Sequence, residues 1–201
     1  RIGFDRARAR DWQWLFCHTQ IDAKPRQHVL DGFFGFLEKL GIKERDLRWD
    51  IPIPDEARAF VDRHIRPGER LLVINPCTSS RRRNWRNWSA EGYAKVADYA
   101  IEQYGMTVVL TGGPADNERE HAAKIAGAMR HDVLNLVGKT NLKQLLALID
   151  RAEVMIAPDT GPMHMATTVG TPVIGLFATS NPLRTGPVSY THLTLPTIYS
   201  V

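Results

Sequence analysis

The chain has 201 residues, of which 43% are hydrophobic and 24% are charged, a composition that is ordinary for a folded globular protein. Its formal net charge of +4 is modest, and this argues against a protein that works mainly on nucleic acid. No apolar run approaches the roughly 18–20 residues that span a bilayer. Two cysteines without a C-x-x-C partner argue against a disulfide framework or a zinc site.

Residues 1–66 predict the end of an N-terminal α/β domain followed by a linker. A short strand at 2–4 precedes a predicted helix at 7–16, and a longer helix is predicted at 28–40. An extended segment at 47–53 then leads out of this domain. The sequence begins with neither a methionine nor a secretory signal, so we expect the start of the domain to lie outside the chain.

Residues 67–187 alternate between short apolar runs rich in β-branched residues and segments with helical periodicity. Such alternation, with Gly and Pro in the connections, is typical of a doubly wound parallel α/β sheet of Rossmann-like type. The strands are predicted at 71–75, 106–111, 133–137, 154–157 and 172–177, and the helices at 90–104, 116–129, 141–151 and 161–169.

The last segment, residues 188–201, contains no Asp, Glu, Lys or Arg, and the strand–helix alternation stops there. It resembles the in-frame translation of a sequencing-library adapter, so we expect it to be a non-native tail. The alternative is a genuine terminal β-strand.

The turn from the strand at 154–157 into the following helix carries Asp159, Thr160 and Gly161, with His164 one turn further on. The first turn of a helix presents unpaired N–H groups and the positive end of its dipole, which together attract anions. Gly161 leaves room for a ligand, and His164 can donate to a phosphate oxygen. Taken singly, the same residues are more often a helix cap and a core histidine.

Two further loops follow strands of the same sheet. In the first loop, which follows the strand at 71–75, small hydroxyl residues precede a run of arginines, and this combination suits a diphosphate. In the second, Thr111-Gly112-Gly113 precedes Asp116, which is as consistent with a helix cap as with a ligand contact. The alternative for the arginine loop is a solvated basic surface. The sequence has no P-loop, no G-x-S-x-G and no D-x-D pair, so we predict no metal.

Five motifs follow one another along the chain: N-P with small hydroxyls and a basic-x-W, T-G-G-P, P-D-T-G-P-M-H-M-A, G-T-P-V-I-G-L-F and N-P-x-x-x-G-P. In this order they resemble glycosyltransferase family 9, which contains the ADP-heptose:lipopolysaccharide heptosyltransferases. The resemblance covers nearly all of residues 1–187 and implies a GT-B fold, with two Rossmann-like domains facing a cleft. The chain would then contain the donor-binding domain and the end of the acceptor domain.

The resemblance also implies an inverting transfer of heptose from ADP-L-glycero-D-manno-heptose to a lipid-linked Kdo core, with no cofactor and no obligatory metal. In this family the general base is an acidic residue near the start of the N-terminal domain, so no residue present is assigned that role. By motif match, the donor-binding residues are Asp159, Thr160, Gly161 and His164 at the nucleotide sugar, Thr78, Ser79 and Arg83 at the diphosphate, and Asp116 as a further candidate.

A lipid-linked acceptor implies a cytoplasmic enzyme with peripheral contact at the inner membrane. The arginines of residues 1–10 and the aromatic residues of 12–16 can assist that contact, although burial of Trp12 and Trp14 is the expectation for a folded domain. No nucleic acid is expected as a partner. Two alternatives stay open: a GT-B enzyme with another nucleotide-sugar donor, and a noncatalytic nucleotide- or nucleic-acid-binding module.

Overall fold

A computed structural model describes residues 1–78, 87–178 and 180–187, which form two compact units. The smaller unit comprises Arg1–Arg48 together with Asn181–Gly186, and the larger unit comprises Trp49–Ser180. The sequence placed the domain boundary after residue 66, whereas in the structure the larger unit already begins at Trp49. The segment predicted to be a non-native tail lies outside the described residues.

The smaller unit contains a two-stranded parallel sheet, formed by β1 (Ile2–Gly3) and β2 (Thr19–Gln20). It also contains helix α1 (Val29–Lys39), which confirms the helix predicted at 28–40, and the short helix α7 (Pro182–Thr185). His28 caps α1, because its Nδ1 accepts the N–H of Leu30 at 3.2 Å. The other ring nitrogen, Nε2, lies 3.0 Å from the carbonyl oxygen of Gly186 and donates to it.

Three predictions for the first 66 residues are wrong. In place of a helix at 7–16 there are turns and a 3-10 helix at Gln13–Phe16, since Asp11 and Trp12 adopt left-handed φ angles of 52° and 58°. Trp12 is 68% exposed, so its predicted burial is also wrong. The extended segment at 47–53 forms no strand, and helix α2 (Asp55–Asp62) follows it.

The larger unit is built on a five-stranded sheet in which every pairing is parallel. The strand order is β5-β4-β3-β6-β7, so the chain starts in the middle, winds to one side and then crosses to the other. The sequence predicted all five strands, and the sheet confirms the predicted α/β fold. The strands are β3 (Leu71–Ile74), β4 (Thr107–Leu110), β5 (Leu134–Asn135), β6 (Val154–Pro158) and β7 (Val173–Leu176).

Helices cover both faces of this sheet and bury separate apolar clusters. One cluster includes Phe60 of α2 and Leu148 of α5, which explains why α2 belongs to the larger unit. The other cluster includes Tyr93 of α3 and Ile125 of α4. Within the three described ranges, none of the helices combines the length and apolar composition that a bilayer span requires. The remaining helices are α3 (Ala90–Tyr104), α4 (Asp116–Ala128), α5 (Leu142–Arg151) and α6 (Gly161–Val169).

Asp98 of α3 holds the turn that follows α4. Its side chain is buried, and both carboxylate oxygens accept the N–H of Arg130 at 3.1 Å, while one also accepts the N–H of His131 at 3.3 Å. Burial alone would raise the pKa of this carboxyl, but the hydrogen bonds and the Arg130 guanidinium outweigh it and hold the pKa below its ordinary value. The folded chain therefore favours the charged form of Asp98.

Replacing this carboxylate should destabilise the fold in a pH-dependent way. Asp98→Ala should lower the free energy of unfolding by about 2 kcal/mol at neutral pH, because two backbone N–H groups lose a charged acceptor that is itself buried. A depressed folded-state pKa makes the stabilisation present above the unfolded pKa of about 3.9 and lost as the pH falls through the folded pKa. Urea unfolding at neutral pH and at about pH 3 should therefore show a smaller difference from wild type at the lower pH.

Asp132→Ala is the matched control, because Asp132 is exposed in the same turn. It should leave the unfolding free energy nearly unchanged at both pH values. A deficit in Asp98→Ala that is the same at both pH values would contradict the assigned role of the carboxylate.

Candidate functional site

The carboxyl ends of β3, β4 and β6 meet at one edge of the sheet, where Asn75 ties them together. The backbone N–H of buried Asn75 donates to the carbonyl of Ile156 in β6 at 2.9 Å. Its side-chain Nδ2 donates to the hydroxyl of Thr111, just after β4, at 3.3 Å. The chain reverses its winding between β3 and β6, and open α/β sheets bind ligands at such a point. This edge is the candidate site.

Three helices, α3, α4 and α6, begin at this edge, because each follows one of the three strands. Each directs the positive end of its dipole toward the loops. Ser89 caps α3 by accepting the N–H of Gly92 at 3.1 Å. The N-cap residues of α4 and α6, Ala115 and Thr160, make no side-chain cap hydrogen bond within the described part of the chain, and a helix first turn presents backbone N–H groups that an anion can use.

The turn between β6 and α6 brings the predicted residues together. Thr160 stands at the N-cap position, but its hydroxyl donates to the carbonyl of Pro158 at 3.1 Å instead of capping the helix. Asp159 Oδ1 lies 3.8 Å from His164 Nε2, with the histidine side chain 46% exposed and the aspartate 15% exposed. Among the described residues, and apart from α6 and the adjoining chain, no atom lies within 4 Å of a Cβ added at Gly161. The turn is therefore polar, accessible and open above the glycine.

The loop after β3 is described only at its two ends. Thr78 is buried, and both its N–H and its hydroxyl donate to Asn87 Oδ1, at 2.9 Å and 3.3 Å. Ser79 and Arg83 lie outside the described residues, so their place at the diphosphate stays a prediction. Burial, reinforced by the carboxylate of Glu118, raises the pKa of the Cys77 thiol to about 12. This thiol stays protonated at neutral pH and is a poor nucleophile.

The loop after β4 is held by Glu118, a residue that the sequence did not single out. Its Oε2 accepts the N–H of Gly113 at 2.7 Å, and a Cβ added at Gly112 or Gly113 would lie 2.9 Å from a carboxylate oxygen. An acidic residue at the third position of a helix that reaches back to a preceding amide is a known sequence signal. Asp116 is exposed at the first position of α4, and Ala115 holds the N-cap position, so Asp116 is not the cap.

No metal centre is seen in the described part of the chain. The described residues contain no group of three or more His, Cys, Asp or Glu side chains placed to hold a metal ion. Independence from metal nevertheless stays a prediction, since residues 79–86 and 188–201 are outside the described ranges.

The parallel sheet, the helices on both faces and the polar carboxyl edge define the larger unit as a Rossmann-like domain of the kind found in GT-B enzymes. The model for glycosyltransferase family 9 (heptosyltransferase) matches residues 1–196. The lipopolysaccharide core heptosyltransferase OpsX of Haemophilus influenzae is 42% identical over 187 residues, which cover 93% of this chain and 53% of that protein. The chain therefore belongs to glycosyltransferase family 9, as its motifs predicted.

Solved structures agree with this assignment. A glycosyltransferase of family 9 from Veillonella parvula matches with a TM-score of 0.75 and 27% identity, over 89% of this chain and 52% of that chain. An Escherichia coli heptosyltransferase solved with ADP shares the fold, with a TM-score of 0.69 and 21% identity over 92% of this chain and 56% of that chain. The chain thus spans about half the length of the relatives it matches.

Removing the Glu118 carboxylate should loosen the loop after β4. In Glu118→Ala the Gly113 amide should exchange with solvent faster, because it loses its acceptor, and the domain should lose about 1 kcal/mol of stability. Glu118→Gln retains an acceptor oxygen and should keep much of the protection. Hydrogen exchange followed by NMR measures this amide directly.

The control for this experiment is Glu120→Ala, which removes an exposed carboxylate from the same helix. It should leave the exchange rate of the Gly113 amide unchanged. Wild-type protection in Glu118→Ala would show that the carboxylate does not hold the loop.

Proposed function

We propose that the chain carries the donor-binding half of a heptosyltransferase, which transfers heptose with inversion from ADP-L-glycero-D-manno-heptose to the Kdo inner core of lipopolysaccharide. The observation that carries the proposal is the space that the described residues leave open above Gly161, on the carboxyl edge of the sheet at the first turn of α6, whose N-cap residue Thr160 makes no side-chain cap bond. The family membership and the names of the relatives support the heptose donor. The E. coli relative solved with ADP supports the nucleotide.

The chemistry of the β6–α6 turn suits a diphosphate. His164 Nε2 lies too far from Asp159 for a hydrogen bond, so the ring can still donate to a phosphate oxygen. A charge-assisted bond of this kind contributes about 1.5–3 kcal/mol, compared with about 0.3–1 kcal/mol for the exposed end of a helix dipole. In an inverting transfer negative charge builds up on the departing ADP, and donors already in place would stabilise it.

Filling the space above Gly161 tests the donor site. Gly161→Ala should weaken ADP binding about tenfold or more, because the added methyl group occupies the room proposed for the ligand. The same change should leave the melting temperature equal or slightly raised, since alanine reduces the entropy of the unfolded chain and its methyl group meets no side chain of the described residues. Calorimetric titration and thermal unfolding measure the two effects.

Gly127→Ala in α4 is the matched control, because a Cβ there also meets nothing within 4 Å. It should not change ADP binding. Wild-type ADP affinity in a folded Gly161→Ala chain would reject the site. Titrations with UDP and GDP separate the donors: a preference for either would retain the site and reject the ADP-sugar.

For the acceptor, we propose an anionic sugar that binds to the smaller unit. This unit has an open cavity of about 1310 Å³ whose lining includes Arg10, Arg26 and Arg184. Within the described ranges none of these three arginines forms an ion pair, whereas Arg8, which also lines the cavity, is paired with Asp5. Free guanidinium groups match the carboxylate of a Kdo sugar.

The lipid of such an acceptor would lie at the cytoplasmic face of the inner membrane. Trp12 and Phe16 support peripheral contact there, because they are 68% and 64% exposed on the smaller unit. Flotation of the chain with anionic lipid vesicles tests this contact. Loss of flotation in Trp12→Ala would support it, and the absence of any flotation by wild type would reject it.

The acceptor proposal predicts that Arg10→Ala combined with Arg26→Ala weakens binding of a deacylated Kdo-containing oligosaccharide roughly tenfold or more, because charge-assisted contacts are lost. Lys43→Ala removes an exposed charge of the same unit outside the cavity lining and should have little effect. Titration calorimetry compares the three chains. Equal losses in both variants would indicate only a general charge effect.

A further inference from the structure

The guanidinium of Arg8 joins separate parts of the smaller unit. Its Nε donates to the carboxylate of Asp5, which is buried. On the other side, Nη1 donates to Gln27 Oε1 at 2.7 Å and Nη2 donates to the carbonyl of Asp22 at 2.8 Å. Burial alone would raise the pKa of the Asp5 carboxyl, but Arg8 and neighbouring backbone amides outweigh it and hold the pKa below its ordinary value. A charged partner therefore anchors the guanidinium while it holds the segment 22–27.

The guanidinium is seated on an aromatic ring and on helix α1. Its Cζ lies 5.5 Å from the ring centroid of Phe4, and that ring packs edge-on against Phe36 of α1, with 5.0 Å between centroids. A Cβ added at buried Gly32 of α1 would lie 3.9 Å from Arg8 Nη1 and 4.0 Å from Gln27 Oε1. The Arg8–Gln27 bond thus lies directly against the helix, which fixes its position in the unit.

The segment between the two acceptors carries Arg26 in an unusual backbone conformation. Asp22 and Gln27 lie on either side of residues 23–26, so one guanidinium holds both ends of this segment. Arg26 has a φ of 53°, in the left-handed region that residues with a Cβ disfavour. Such a conformation persists only where the surrounding structure fixes it. Arg26 lines the open cavity, so the bonds of Arg8 hold the conformation from which it does so.

We infer that Arg8 is a positioning residue for the acceptor subsite and that it acts through Arg26. Protein oxygens accept N–H groups from all three of its nitrogens, and its charge is paired with Asp5. Its contribution is therefore to hold the cavity-lining segment rather than to neutralise the carboxylate of the sugar. This inference rests on the proposed acceptor site, and it assigns a role there to an arginine whose charge is already paired.

A double-mutant cycle tests the inference. Arg8→Lys keeps the positive charge but lacks the planar fork that bonds to several acceptors together. In titration calorimetry with the deacylated Kdo-containing oligosaccharide, Arg8→Lys and Arg26→Ala should each weaken binding about fivefold. The two changes combined should weaken it less than about twofold beyond Arg26→Ala alone, because a residue that acts through Arg26 has no effect once Arg26 is removed. A residue that contacts the sugar itself would add its full loss.

Arg45→Lys is the matched control for this change. Arg45 belongs to the same unit and bonds to Asp31 and Glu38, both at 2.7 Å, but it does not line the cavity. Its replacement should leave the affinity within about twofold of wild type, whatever its effect on the melting temperature. Circular dichroism confirms that each variant is folded.

Gln27→Ala provides a second route if Arg8→Lys cannot be obtained folded. It removes one of the two bonds by which Arg8 holds the segment. It should weaken binding about threefold, and again without adding to the loss in Arg26→Ala.

The outcomes are distinguishable. If wild type does not bind the oligosaccharide, the proposed acceptor site is wrong and this inference falls with it. If wild type binds and Arg26→Ala weakens binding, but Arg8→Lys stays within about twofold of wild type, only the inference is overturned. Losses that add in the combined variant, unchanged binding in Arg26→Ala, or an equal loss in Arg45→Lys would also overturn it.

Discussion

Parallel pairing of β3 with both β4 and β6 is the constraint on which the candidate site depends. Because the neighbours run in the same direction as β3, all three strands deliver their loops to one edge, and the following helices begin there. The register also lets Asn75 bond to the Thr111 hydroxyl on one side and to the carbonyl of Ile156 on the other. A slip of one residue would turn every side chain of a strand to the other face and break these links. The apolar packing that fixes the register thereby fixes the polar geometry.

The polar groups at this edge are mostly satisfied by each other before any ligand arrives. Asn75 bonds to Thr111, Thr78 bonds to Asn87, and Glu118 holds a backbone amide. An unpaired buried donor costs about 1–3 kcal/mol, so such mutual bonding favours one arrangement of these described side chains over others. A site for a doubly charged diphosphate benefits, because donors that are already oriented need no reorganisation when charge develops.

Most strands and helices of the larger unit were predicted from the sequence, because its sheet is parallel. Strands buried on both faces are continuous apolar runs, and the intervening helices at 90–104 and 161–169 were predicted with the bounds they have. The helix predicted at 7–16 is wrong because Asp11 and Trp12 adopt left-handed backbone angles, which interrupt a helix. Asn87 escaped notice because its bond to Thr78 joins two ends of a folded loop, which spacing along the chain does not encode. Glu118 stands at the third position of α4, where spacing could have indicated it.

The glycines at the sheet edge differ in whether the packing of the protein itself requires them. Gly92 is required by the Trp88 indole, and Gly113 by the Glu118 carboxylate, because an added Cβ would overlap these side chains. Gly161 differs from both: its φ lies outside the left-handed region, and among the described residues only α6 itself and the adjoining chain approach the place of its missing Cβ. Gly127 within α4 shares both properties, so they do not by themselves indicate a ligand. What sets Gly161 apart is its place in the first turn of α6, where a small residue gives an anion access to the helix amides.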